Sequence, residues 1–164
     1  MLQLNSMERA QQLIGRRVRI SGMLHTRNIT GEDGKSHLEL YVSGSMVDMR
    51  EGPDNNWIYL EGYVCKKPIY RETPLGKNIA DLFVAVHRGG ISRESDYIPC
   101  IFWNKMAKRA AEFEVGDQVK FCGRIQSRTY QKTKADGTVK EYTAVEVSAM
   151  QIVEVIKKEE VATD

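Results

Sequence analysis

Tyr70–Gly76 (YRETPLG), Ile79–Arg88 (IADLFVAVHR) and Asp96–Lys105 (DYIPCIFWNK) follow one another closely, and their reading decides the fold. The first is a turn, with Gly76 suited to a positive φ. The second is nearly continuous in apolar residues and reads as a buried strand. The third is a strand rich in aromatics, with Arg88 before it and Lys105 after it. Flat rings for stacking bases and cations for a phosphate backbone are what a single-strand-binding surface requires.

Outward from this run the chain is mostly short strands. Trp57–Val64 is a strand before the turn, and Ile79–Val86 and Tyr97–Trp103 follow it. Pro99 withholds one ladder donor, so a bulge is admissible there. Lys105–Phe113 (KMAKRAAEF) has helical composition, with Asn104 as its N-cap and Gly116 just past its end. Gln118–Ser127 and Tyr142–Val147 are two more strands around the polar loop QKTKADGTVK. Near the start, Val18–Leu24 and His37–Val42 alternate apolar and polar around GEDGKS, the pattern of a hairpin. Met46–Asn56 contains Gly52-Pro53-Asp54 and reads as a linker. Five strands with a helix between the third and fourth is the order of an OB-fold, an all-β Greek-key barrel.

The chain also repeats itself. IGRRVRISGMLHTR (Ile14–Arg27) aligns with VGDQVKFCGRIQSR (Val115–Arg128), pairing Gly15 with Gly116, Val18 with Val119, Gly22 with Gly123 and Arg27 with Arg128, each 101 residues apart. Asp33-Gly34 then aligns with Asp136-Gly137, and Met46 with Met150. The N-terminal segment therefore matches only the helix end and last two strands of the later barrel. The expected division is a partial repeat over 1–50, a linker over 51–55, the barrel domain over 56–155 and a flexible tail over 156–164.

Composition bounds the rest. The 164 residues carry 24 Lys and Arg against 22 Asp and Glu, so a net charge of +2 does not by itself mark a nucleic-acid binder. No apolar run reaches the length of a membrane span, and MLQLNSMERA is no signal peptide, so a cytoplasmic location is expected. Cys65, Cys100 and Cys122 lie far apart and read as reduced thiols. No zinc spacing, phosphate-cradling glycine loop or nucleophile elbow occurs, so neither a metal, a cofactor nor an enzymatic activity is expected.

Asn56–Glu154, about 60% of the chain, resembles the DNA-binding domain of the bacterial single-stranded DNA-binding (SSB) family, on the turn and strand motifs quoted above. The resemblance implies a stoichiometric binder of single-stranded DNA, largely indifferent to sequence, in replication, repair or recombination. The rival readings are an OB-fold assembly module of a primosome or replisome, and an RNA binder. The resemblance places stacking aromatics at Tyr97, Trp103 and Tyr130. Phosphate contacts fall to Arg71, Arg88, Lys105, Arg124, Arg128 and Lys132, with Arg88 and Arg128 ending strands beside binding loops. The family often carries an aromatic before the third strand; here that loop is GGISRES and has none. Trp57 and Tyr59, on the first strand (NNWIYLEGYV), are implied interface residues of a homodimer or homotetramer. Replication or repair proteins are possible partners, although the chain stops at EEVATD without the family's usual acidic tip. In the partial repeat Ile29 stands where Tyr130 stands, which assigns that hairpin to assembly more than to DNA contact.

Overall fold

A computed structural model describes residues 11, 13–31, 34, 36–49, 52–73, 75–89, 94–133 and 137–158, with the side chains of 45–49 and 132 left aside. Two compact units emerge, Met1–Asn55 and Asn56–Asp164.

Among its described residues the first unit holds one antiparallel hairpin, β1 (Val18–Thr30) and β2 (Ser36–Met49). Both strands outrun the apolar alternation that announced them, because a two-stranded ladder needs only backbone hydrogen bonds and tolerates polar side chains on both faces. Met46–Met49, expected in the linker, belongs to β2. Arg50 and Glu51 lie outside the described residues.

The second unit holds β3 (Ile58–Val64), β4 (Ile69–Glu72), β5 (Asn78–His87), β6 (Ser95–Trp103), α1 (Asn104–Ala110), β7 (Gln118–Thr133) and β8 (Val139–Ile156). The hydrogen-bonded order is β3-β7-β8-β6-β5-β4, and a β3–β5 pairing closes a five-stranded barrel. Parallel β6 and β8 meet at Cys100 and Val147. This is the OB-fold. Gly62 makes the closure possible, since a Cβ there would lie 2.5 Å from the Ala85 carbonyl oxygen. Leu60, Val64, Leu82, Val84, Ile98, Phe102, Val119, Phe121 and Val147 fill the barrel. Phe102 is its centre, 5.1 Å from the Phe121 ring and 6.3 Å from that of Phe113, which caps one end with Ala107 and Ala110.

Several expectations need correction. Tyr70–Glu72 is not turn but strand β4, a short edge addition to β5; the turn proper is Thr73–Lys77, where Gly76 has φ 72°. No bulge forms at Pro99: the β5–β6 register runs unbroken, with Pro99 opposite Phe83. Asn104 is not an N-cap. It opens α1 at φ 52°, and Trp103 holds the extended cap position without a side-chain hydrogen bond. β7 and β8 run on to Thr133 and Ile156. Beyond β8, Lys157 and Lys158 are tied to buried Asp117, which accepts from the Lys157 ammonium at 2.8 Å and from the amides of Lys158 and Glu114. Burial pushes the Asp117 carboxyl up, but these donors together outweigh it and hold it below the ordinary 3.8.

Candidate nucleic-acid interface

Side chains alternate across a strand, and directly paired residues share a face. On β6, Tyr97, Pro99, Ile101 and Trp103 point away from the core side occupied by Ile98, Cys100 and Phe102. Their partners on β5 are Ala85, Phe83, Asp81 and Ile79. From Ile79 the same face passes to Arg71 on β4. From Ile101 it passes to Ser148 on β8 and then to Arg124 on β7. Farther along that hairpin lie Gln126 with Glu146, Arg128 with Ala144, and Tyr130 with Tyr142. Tyr97, Trp103, Tyr130, Arg71, Arg124 and Arg128 thus share one side of the sheet, with Ile79 and Ile101 buried between them. Lys105 is exposed on the first turn of α1, two residues past Trp103. The side chain of Lys132 lies outside the described residues, though its backbone pairs with Lys140 at the end of the hairpin.

The aromatics are presented differently. Tyr97 is 53% exposed. Trp103 is half-buried, its indole N–H donating to Ser148 Oγ at 3.0 Å, which pins the ring's polar edge on β8. Tyr130 stacks on Tyr142 across the ladder, with ring centres 5.8 Å apart and planes 24° apart. The Arg128 guanidinium lies 5.5 Å from the Tyr130 ring centre and the Lys140 ammonium 5.6 Å from that of Tyr142. Two aromatics that the sequence reading passed over belong here. Phe83 shares the outer face, half-exposed, with the Lys66 ammonium 5.0 Å from its ring centre. Its parity with Asp81 was the available signal. Tyr142 was read only as the start of a strand; its symmetric place across the loop from Tyr130 was the clue.

The cations are less free than a sequence suggests. Arg71 pairs with Asp81 at 2.8 Å. Arg128 donates to buried Glu146 at 2.9 Å, and Asp81 lies 3.8 Å away. Glu146 also accepts from Gln126. The hydrogen bond to Glu146 raises the already basic Arg128. Arg71 and Arg128 are therefore each offset by a carboxylate, while Arg124 is exposed on the same face and adds a positive charge. Arg88 stands apart. Its guanidinium forks onto buried Asp96 at 2.9 and 3.1 Å and reaches Glu94 at 3.0 Å, tying the ends of β5 and β6 on the core side of that ladder.

A second exposed group lies along β3. Trp57 just precedes the strand at 64% exposure, and Tyr59, Glu61 and Tyr63 share the outward face of β3. Glu61 is met by Gln118 and Lys120, and Lys120 also pairs with Glu154. No group of metal-binding side chains occurs among the described residues, and none of their helices is long and apolar enough to cross a membrane.

Known proteins share this architecture. Single-stranded DNA-binding protein 2 of Listeria innocua is 36% identical over 104 residues, covering 60% of this chain and 64% of that protein. Single-stranded DNA-binding protein A of Bacillus subtilis is 31% identical over 104 residues, covering 60% and 59%. The chain therefore spans slightly under two thirds of these relatives. Among solved structures, wild-type single-stranded DNA binding protein from Thermus aquaticus aligns with a TM-score of 0.60 at 19% identity, covering 90% of this chain and 61% of that one, and a deletion variant of it aligns at 0.66 and 20%, covering 89% and 63%. At that identity they speak to fold alone. The sequence model of the single-strand binding protein family matches residues 55–153, more than half of the chain, and the chain belongs to that family.

Proposed function

We propose that the chain binds single-stranded DNA, largely without sequence preference, on the outer face of β4, β5, β6, β7 and β8. The carrying observation is the collection of Tyr97, Trp103, Phe83 and the Tyr130–Tyr142 stack on one sheet surface beside arginines. Every base has a π-face, so such a surface accepts any sequence, at roughly 1–3 kcal/mol per stacked base. Arg71 and Arg128 are already paired with carboxylates, so phosphate contacts supply less of the affinity and stacking more. The protein acts as a stoichiometric coat of exposed strands in replication, repair or recombination, not as an enzyme. It assembles through the aromatic outer face of β3, with Trp57 and Tyr59 in the interface and a dimer or tetramer as the product. Arg88 is a structural residue in this reading. The division of labour follows the two units, residues 1–50 forming a hairpin module and 56–155 the barrel.

Titration of the full chain with dT and dA oligomers and with duplex, followed by intrinsic tryptophan fluorescence, tests the reading. Saturable quenching by both oligomers and none by duplex is expected. Duplex binding as tight as single-strand binding would overturn it.

A further inference from the structure

The N-terminal hairpin reproduces β7–β8 in register. In β1–β2 the ladder slips just before Gly22, which pairs with Gly44; in β7–β8 it slips just before Gly123, which pairs with Ala149. A Cβ on either glycine would overlap the carbonyl of the facing serine, Ser43 or Ser148. Beyond the slips, Leu24 with Val42 corresponds to Ile125 with Val147, and Arg27 with Glu39 to Arg128 with Ala144. This places Arg27 at the position of Arg128, on the same face of its hairpin.

Along the strand no aromatic follows Arg27, since Ile29 stands in Tyr130's place. The structure supplies one across the ladder. The Arg27 guanidinium lies 5.2 Å from the Tyr41 ring centre, against 5.5 Å for Arg128 and Tyr130. His25 meets Tyr41 with ring centres 5.6 Å apart and planes tilted by 42°, at the register of Gln126 and Glu146, whereas Tyr130 and Tyr142 stack at 5.8 Å and 24° on the far side of Arg128. Arg27 is held by Glu39 as Arg128 is held by Glu146. His25 and Tyr41 are both partly exposed. They lie on the face opposite Leu24, Leu40 and Val42, so packing of the hairpin's apolar side does not account for them.

We propose that His25, Arg27 and Tyr41 form a second contact site for single-stranded DNA, in which a base stacks on the Tyr41–His25 pair and Arg27 lies beside its phosphate. A paired π surface with an adjoining guanidinium is the arrangement by which such strands are held. The inference rests on the proposed DNA binding of the barrel and extends it to the hairpin.

The test uses the full chain and a dT oligomer several times longer than one barrel's site of about 4–16 nucleotides. Tyr41→Ala and Tyr41→Leu, the latter keeping apolar bulk without the ring, are compared with the unchanged protein and with Trp103→Ala. Both Tyr41 variants are expected to bind roughly 5- to 150-fold more weakly, the equivalent of one lost stack. In the unchanged protein, photocrosslinking of an iodouracil-substituted oligomer is expected to label Tyr41 or His25. If Trp103→Ala weakens binding while both Tyr41 variants bind normally and no crosslink falls within residues 18–44, the hairpin site is wrong and the barrel reading stands. If the unchanged protein binds no oligomer, both readings fall.

Discussion

Trp103 is the residue on which single-strand affinity should turn most directly. Its ring is half-exposed and its N–H donates to Ser148, so truncation removes a stacking face and takes one hydrogen-bond donor from the Ser148 hydroxyl. Trp103→Ala is expected to weaken oligomer binding by roughly 1–3 kcal/mol with an unchanged far-UV spectrum; a folded variant with full affinity would remove the residue from the interface. Glu146 tests the electrostatics. Glu146→Gln keeps the shape but releases Arg128 from its carboxylate, so the slope of log affinity against log salt should steepen by up to about 0.7 for single strands. An unaltered slope would mean that Arg128 never meets phosphate. Asp117 bears on stability instead. Its carboxyl sits lower in the folded state than its ordinary value, so its contribution is complete above that value and is lost as pH falls through the folded one. Asp117→Asn should cost about 1–3 kcal/mol at neutral pH, and urea unfolding should show the gap narrowing below about pH 4.

At the scale of elements, the barrel closes where β3 crosses onto β5, and only a residue without a side chain permits that approach. Gly62→Ala pushes a methyl against the Ala85 carbonyl and the Val84 side chain and should destabilise the domain by about 1–3 kcal/mol in urea, with the melting curve as the check. An unchanged midpoint would show that the crossing yields without cost. The strands that were easiest to read, β5 and β6, are those with a run of buried residues on one face, Ala80, Leu82 and Val84 in β5 and Asp96, Ile98, Cys100 and Phe102 in β6. β4 was hidden because all four of its residues are exposed, and an edge strand held by one neighbour leaves little hydrophobic pattern. The far ends of β7 and β8 were hidden for the same reason, since they project as a ladder with polar residues on both faces.

For the molecule as a whole, β3 pairs with β7 along Ile58–Tyr63, but β5 reaches it only at Tyr63 and Val64. Among the described residues the other edge of Ile58–Gly62 has no strand beside it, and unpaired edges flanked by exposed aromatics invite pairing with another chain. Light scattering at micromolar concentration should report a mass of at least two chains. Tyr59→Arg combined with Tyr63→Arg, on that outward face, should lower it. A mass of one chain for the unchanged protein would contradict the assembly.

Pattern and type were written in the sequence itself. Alternating and continuous apolar runs announced the barrel strands, and the internal offset of 101 announced that β1 resembles β7. Tyr97, Trp103 and Arg128 stood out as candidates because aromatic and cationic residues at strand positions suit a binding face. Pairing could not be read this way. That Arg88 would be consumed by Asp96, that Tyr41 would come across a ladder to Arg27, and that Phe83 would face outward all depend on register. Register is set by the bulges at Gly22 and Gly123 and by which strands close the barrel. Each depends on how two strands align, and a slip of one residue sends every side chain to the other face, so one strand's run of residues does not settle it.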